Sequence, residues 1–230
     1  MTTVTLNAAA ISRPLRRVRA GTVAYGSGMN PKHLELLVSE DWRMLLKDYL
    51  LPFAFGDRSH GDLGDEVLEI GPGPGLTTDL LRGDLVKLTA IELDPKLASA
   101  LSDRLMGTNV DVVEGDATAM PFEPARFTGA IAFTMFHHVP TVELQDRLLA
   151  EIFRVLRPGG LLVASDSVAS DDLAALHIDD VYNPVDPATL SDRLATIGFA
   201  DIEVETNSLG WRCHARRLPE RSWPPGNSRG

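Results

Sequence analysis

Cysteine is almost absent from this chain of 230 residues, in which Cys213 stands alone. A single cysteine excludes an intramolecular disulfide and fits a reducing compartment. Long hydrophobic runs are also missing, since no apolar stretch approaches the ~18–20 residues that cross a bilayer. No apolar segment follows the N-terminal arginines as it would in a secretory signal. The sequence therefore predicts a cytoplasmic globular protein without a membrane span.

Positive charge is scarce beyond the first 28 residues. Residues 1–28 carry four arginines and no acid, whereas the whole chain has a net charge of −10, so the other 202 residues carry −14. Because phosphate backbones are repelled by an acidic surface, this balance argues against a nucleic-acid partner.

The length predicts one main domain with short flanks. We place the domain at residues 29–217, with an N-terminal helical cap over 29–60, and expect residues 218–230 to form a tail. Residues 1–28 have three interpretations: a flexible basic segment, an upstream start site ahead of Met29, or an arginine-rich transit peptide.

Residues 67–75 restrict the chemistry most. An apolar run containing Glu69 is followed by three alternating glycines, Gly71, Gly73 and Gly75. The run predicts a buried strand, and the glycines allow a tight turn that approaches a ligand closely. A dinucleotide fingerprint needs its third glycine one position later, where this chain has Leu76. The loop therefore predicts a nucleotide-like ligand other than a dinucleotide.

Strands and helices alternate through the rest of the domain. Helices are expected over residues 39–51, ending at Pro52, and after the glycine loop, as well as over residues 95–106, 141–156 and 187–197. Strands are expected over residues 67–70, 86–92, 110–114, 129–134, 161–165, 202–206 and 211–216. This order predicts an α/β fold with a mostly parallel sheet, helices on both faces, and a ligand at the carboxyl ends of the strands.

Two acids stand at such strand ends. Glu92 closes the second predicted strand, 17 residues after Gly75, and an ionised carboxylate there can accept two hydrogen bonds from a ribose diol. Asp116 follows the third strand within residues 114–118, where Gly-Asp-Ala on its own is typical of a turn. Asp94 is interpreted as a helix cap before Pro95.

The pattern Glu-x-Gly-x-Gly-x-Gly at residues 69–75 resembles motif I of the class I S-adenosylmethionine (SAM)-dependent methyltransferases. The acids at Glu92 and Asp116 and the Leu-Arg-Pro-Gly-Gly turn at residues 156–160 extend the resemblance to small-molecule enzymes of methyltransferase type 11. It covers about residues 65–165. One departure is Thr128 after Phe127, where the family often has Asp.

The resemblance implies a Rossmann-like, seven-stranded, mostly parallel sheet with an antiparallel last strand, and S-adenosyl-L-methionine as cofactor. The cofactor-binding residues that it implies are Glu69, Gly71, Gly73, Gly75, Glu92, Leu93, Asp116, Ala117 and Phe133. For Glu69, a buried acid satisfied by backbone groups is an equal alternative to a contact with the methionine end of the cofactor.

His137 and His138 follow the fourth predicted strand and border the expected reaction centre. Either is a candidate general base, or a packing residue. Residues 168–186 contain His177, Asp179 and Asp180, and are interpreted as a solvated loop or as a cover over the acceptor. No metal is predicted, since one histidine and two carboxylates in a loop are weak evidence.

These observations favour methyl transfer from SAM to oxygen or carbon of a small lipophilic or aromatic acceptor. An rRNA adenine dimethyltransferase is the second interpretation, because residues 69–75 and 91–94 look very like that family. Its Asn-Leu-Pro-Tyr-type motif is replaced here by residues 134–137, and the acidic charge also disfavours it. A non-catalytic SAM-binding module is the third. The sequence leaves a homodimer open.

Overall fold

The computed structural model of the protein describes residues 29–208 and 210–219. The predictions for residues 1–28 and 220–230 lie outside this range. Within it, seven strands form one sheet in the order β3-β2-β1-β4-β5-β7-β6. The strands are β1 (Glu66–Ile70), β2 (Lys87–Glu92), β3 (Val110–Glu114), β4 (Phe127–Phe133), β5 (Leu156–Asp166), β6 (Ala200–Thr206) and β7 (Trp211–Arg216).

The pairing confirms the predicted Rossmann-like sheet. Strands β1 to β5 are parallel to one another, and β7 is antiparallel to both β5 and β6. Ile70 lies opposite both Ile91 and Ala132, and Phe133 lies opposite Ser165. The registers therefore bring the carboxyl ends of β1, β2, β4 and β5 to one edge of the sheet, with the loops that carry the predicted motifs.

Helices cover both faces of the sheet. They are α1 (Pro31–Leu37), α2 (Glu40–Leu45), α3 (Leu51–Phe55), α4 (Leu76–Leu81), α5 (Pro95–Leu105), α6 (Val142–Val155), α7 (Asp171–Leu176) and α8 (Pro187–Ile197). Leu68 packs in a cluster with residues of α6 and α8, whereas its neighbour Val67 packs in another with residues of α3, α4 and α5. This alternation places one hydrophobic layer on each face. Among the described helices, none is long and apolar enough to cross a membrane.

The helix predicted over residues 39–51 was expected to end at Pro52, and this prediction is wrong. A π-helical turn, Leu46–Leu50, leads from α2 directly into α3, which contains Pro52 and ends before Gly56. Proline in a regular α-helix collides with the carbonyl group four residues earlier, and the wider π turn relieves that collision. Tyr49, which lies in this π turn, is 58% exposed.

Two short helices were not predicted. Helix α1 is capped by the Asn30 side chain, which accepts the N–H of His33, and α7 by the Ser170 side chain, which accepts the N–H of Leu173. Residues 171–176, expected to be part of a loop, are therefore helical. The predicted turn at 157–160 is a bulge, because Leu156 and Leu161 both pair with β4 while the residues between them do not.

Candidate functional site

The glycine loop connects β1 to α4 at the edge of the sheet. Gly71, Gly73 and Gly75 have φ angles of 62°, 56° and 88°, which side chains rarely adopt. A Cβ at Gly75 would collide with the side chains of Leu101 and Arg104 on α5. Gly75 is thus required for the packing of the loop against α5, whereas Gly73 faces a cavity.

Glu92 fastens this loop to the end of β2. Its Oε2 accepts the backbone N–H of Gly73 at 2.9 Å, and its Oε1 accepts the N–H of Asp94 at 2.9 Å. Burial raises the pKa of Glu92 above its usual range. The carboxylate lines the cavity, and each oxygen keeps a lone pair for a ligand. Asp94 caps α5, as expected, by accepting the N–H groups of Lys96 and Leu97.

Asp116 begins a short 3₁₀ turn at the end of β3. One carboxylate oxygen accepts the N–H of Thr118 at 2.7 Å, which fixes the side chain and leaves its other oxygen without a hydrogen bond from a described residue. Asp116 and Ala117 line the same cavity as Glu92. The acid and the adjacent backbone N–H therefore provide an acceptor and a donor side by side.

Glu69 is almost fully buried at the end of β1, with 2% of its surface exposed. Its Oε2 accepts the hydroxyl of Thr78 on α4 at 2.7 Å. Burial raises the pKa of Glu69 to about 7 despite this bond, so a bound cation would favour its ionised form.

The cavity at this edge has a volume of about 500 Å³, within the range of small-molecule sites. All the residues predicted for the site line it except Gly75 and His137. Four apolar residues of the N-terminal segment also line it, Met29, Leu34, Leu37 and Trp42, and only Trp42 belongs to a helix predicted from the sequence. The Asn30-Pro31 cap was the signal for α1, which carries two of them.

The two histidines after β4 have different surroundings. Asp166, at the end of β5, binds the Nδ1 of His137 at 2.7 Å and also accepts its backbone N–H. His138 lines the cavity, with 23% of its side chain exposed. Burial, followed by repulsion from His137, lowers the pKa of His138 to about 3, so its imidazole is neutral at pH 7.

The segment after α7 covers this part of the site. Asp180 and Val181 line the cavity, and Asn183 binds the loop after β4 through hydrogen bonds to the carbonyl groups of His137 and Val139. The side chain of Gln145 on α6 donates to the Asn183 carbonyl. These bonds anchor the cover, which agrees with the second interpretation of residues 168–186.

Comparison with known proteins finds a methyltransferase domain in the chain. Residues 68–164 match a family model described as "Methyltransferase domain". Probable ribosomal RNA small subunit methyltransferase A of Methanothermobacter thermautotrophicus is 35% identical over 132 residues, which span 52% of this chain and 48% of that protein. Phthiotriol/phenolphthiotriol dimycocerosates methyltransferase 1 of Mycobacterium ulcerans is 32% identical over 124 residues, or 53% and 45%. The chain thus spans about half the length of these curated relatives.

The fold has relatives among solved structures. A SAM-dependent methyltransferase from Aquifex aeolicus superposes with a TM-score of 0.62 at 18% identity, covering 83% of this chain and all of that one. This likeness concerns the fold, and the matched family model concerns the sequence between β1 and β5. With the glycine loop and the strand-end acids around one cavity, the matched domain and the fold support a class I SAM-dependent methyltransferase.

Proposed function

We propose that the protein transfers the methyl group of SAM to a small lipophilic acceptor. The main observation behind this proposal is that the residues predicted to bind the cofactor and apolar residues of the N-terminal cap line the same cavity. Glu92 and Asp116 line it on the sheet side, and Leu34, Leu37 and Trp42 on the cap side. Cofactor and acceptor would therefore meet in one cavity of about 500 Å³.

The residues present fit SAM. Glu92 would accept the ribose hydroxyls, Asp116 the adenine amine, and the Ala117 N–H would donate to the adenine ring. Glu69 lies just before the glycine loop, and its carboxylate accepts the hydroxyl of Thr78 on the helix that follows the loop. From this position it would favour positive charge at the methionine end of the cofactor. When bound, SAM supplies a methyl group already activated by its positive sulfonium. The protein has to exclude water and orient the acceptor, and orientation alone supplies about 7–11 kcal/mol in favourable cases.

We infer the chemical class of the acceptor from the apolar residues that line the cavity. Leu34, Leu37, Trp42 and Val181 are all apolar and line the cavity. Burial of an apolar side chain contributes about 1.5–3 kcal/mol, so these residues would bind a lipophilic or aromatic group. The reacting atom would be an oxygen or a carbon.

His138 is the candidate base, because it lines the cavity and is neutral at pH 7. Its lowered pKa leaves the imidazole free to accept a proton but makes it a weak base. His137, which Asp166 holds, would instead position the loop after β4.

Methylation of rRNA is the second candidate, supported by the 35% identity with a relative of that name. Three observations disfavour it. Residues 134–137 lack the adenine-contacting motif, residues 29–230 carry a net charge of −14, and apolar residues of α1 and α2 line the acceptor side. A flipped-out base in RNA needs a basic surface for its flanking phosphates.

Radiolabelled SAM distinguishes these functions. The full chain is incubated separately with phenols, lipid-like alcohols and enols, and small-subunit rRNA, and label in each product is counted. Transfer to a small acceptor supports the proposal. Label only in rRNA contradicts the proposed acceptor, and tight SAM binding without transfer to any substrate supports the binding module.

A pair of variants tests the cofactor site in the same assay. Asp116→Ala should weaken SAM binding by about 1–3 kcal/mol, since a hydrogen bond to a charged group is lost. Asp111→Ala is the matched control, because this exposed acid on β3 pairs with Lys87 at 3.4 Å and does not line the cavity. Equal SAM affinity in the two variants would contradict the assignment of Asp116.

A further inference from the structure

Three histidines from distant parts of the sequence meet beside the cavity. His33 is on α1, His138 follows β4, and His177 ends α7. Their ring centroids lie 4.7–5.2 Å apart, and one ring nitrogen from each lies within 4.8 Å of those of the others. We call these three residues the histidine cluster.

Asp180 adds a carboxylate to the histidine cluster. Its Oδ2 is 3.5 Å from Nδ1 of His33, and its Oδ1 is 4.0 Å from Nδ1 of His138. The side chains of Asp180 and His33 are only 7% and 6% exposed. The histidine cluster and Asp180 thus bring together three imidazoles and one carboxylate, which are common ligands of transition metals.

Several polar atoms of this group are buried without a hydrogen-bond partner among the described residues. They are Nδ1 of His33, Nε2 of His177 and Oδ2 of Asp180. Buried polar atoms are nearly always paired, because an unpaired one loses its hydration without compensation. Nδ1 of His33 and Oδ2 of Asp180 face each other at 3.5 Å, at the limit of a hydrogen bond, and Nε2 of His177 has no partner among the described residues. Together these atoms can offer lone pairs to one bound ion.

The orientation of His177 agrees with a metal ligand. Its Nδ1 lies 2.6 Å from the carbonyl oxygen of Leu173, so Nδ1 carries the proton and donates it. The proton-free Nε2 is therefore the atom without a partner. Histidine ligands commonly donate the second ring N–H to a carbonyl or carboxylate in this way, which fixes the tautomer that binds the metal.

The backbone holds the cluster together. The Asn30 side chain donates to the carbonyl of Leu176 at 2.9 Å, and its oxygen caps α1 three residues from His33. The N–H of Asp180 donates to the carbonyl of His177 at 2.9 Å. The elements that carry the ligands are thus fixed to one another by protein hydrogen bonds.

We propose that His33, His138 and His177 bind a divalent transition metal, with the Asp180 carboxylate as the fourth ligand. Zn²⁺ fits this donor set in a tetrahedral geometry with bonds of about 2.0–2.1 Å, which places ligand atoms about 3.4 Å apart. The ligand atoms of the three histidines now lie up to 4.8 Å apart, so metal binding would have to draw the imidazoles together. This site replaces the prediction of no metal, and it does not depend on the methyl transfer proposed above. A metal-bound His138 would have no lone pair left for a proton, so the metal site excludes the role of His138 as general base.

The proposal also assigns a task to the metal. His138 and Asp180 line the cavity, whereas His33 on α1 and His177 at the end of α7 lie beside it. The metal would therefore join α1 and α7 across the acceptor side of the cavity, and its binding would stabilise the cover.

Metal titration tests the site directly. The full chain, purified without a histidine tag and treated with a chelator, is titrated with Zn²⁺ by calorimetry, and Co²⁺ is added separately to record its visible spectrum. We expect one metal per chain, a higher melting temperature with Zn²⁺, and the absorption of four-coordinate Co²⁺. Failure to bind one equivalent would overturn the proposal, whether or not the protein transfers methyl groups.

Variants locate the bound metal. His33→Ala and His177→Ala should each weaken Zn²⁺ binding at least ~10-fold, with His177→Asn as a second variant if the alanine form is unfolded by circular dichroism. His60→Ala is the matched control, because His60 also pairs with an acid, Asp84 at 2.8 Å, away from the cluster. It should retain the wild-type affinity. Unchanged affinity in the cluster variants, or an equal loss in His60→Ala, would overturn the site.

Discussion

Glu92 and Gly73 are joined by a hydrogen bond of 2.9 Å between the Glu92 carboxylate and the Gly73 backbone N–H. The acid at the end of β2 therefore holds the glycine loop at the end of β1, in addition to lining the cavity. The residue assigned to the ribose also sets the shape of the loop that approaches the cofactor.

Removal of this carboxylate should impair both tasks. We expect Glu92→Ala to weaken SAM binding by about 1–3 kcal/mol, or roughly 5- to 150-fold, measured by calorimetry. Glu114→Ala, at an exposed acid that ends β3, is the control and should bind SAM normally. Wild-type affinity in Glu92→Ala would refute both the ribose contact and the loop contact.

Gly75 should tolerate no side chain. Gly75→Ala adds a Cβ that collides with Leu101 and Arg104 at a φ of 88°, and we expect a loss of about 2–4 kcal/mol in the free energy of unfolding. Gly107→Ala separates the steric collision from the backbone strain, because Gly107 has a φ of 79° and no atom within 4 Å of the added Cβ. It should lose only about 1 kcal/mol. Chemical denaturation measures both, and equal losses would exclude the collision.

Glu69 should make stability depend on pH. Burial raises its pKa from 4.5 to about 7 in the folded protein, so its favourable contribution is present below pH 4.5 and is lost as pH rises through 7. Relative to Glu69→Gln, the SAM-free wild type should therefore lose unfolding free energy between these values. Denaturation of both proteins across this range measures the difference, and a constant difference would contradict the raised pKa.

SAM should reverse this effect. A cationic ligand near Glu69 favours the carboxylate, so wild-type SAM affinity should rise with pH up to about 7 and binding should release protons. Calorimetry in buffers of different ionisation enthalpy detects the release. Glu69→Gln should release fewer protons, and equal release in both proteins would assign the linkage to another group.

Trp42 should contribute to acceptor binding alone. Trp42→Ala removes an apolar surface of the cavity, so we expect the KM for a lipophilic acceptor to rise at least ~10-fold with little change in SAM affinity. Tyr49→Ala, in the adjoining π turn and 58% exposed, is the control and should leave both unchanged. A loss of SAM affinity in Trp42→Ala without a change in KM would place Trp42 on the cofactor side.

The sheet and its glycine loop could be predicted because their signals are local. Residues 67–75 combine a buried strand with glycines at positions of positive φ, and only that backbone conformation accommodates the spacing. The sequence predicted a helix end at Pro52, whereas the helix continues through it because a π turn relieves the expected collision. Proline disfavours one geometry of the backbone, and the adjoining turn decides whether that geometry occurs.

The sequence by itself determined the cofactor side of this protein, since Glu92 and Asp116 each follow a strand and parallel strands bring their carboxyl ends to one edge. Only the tertiary structure decided the other side, where α1 and α7 bring His33 and His177 to His138. No local pattern encodes that meeting, because it depends on hydrogen bonds and packing between segments far apart in the chain. The Asn30 side chain, bonded to Leu176, is the contact that brings the two helices into register.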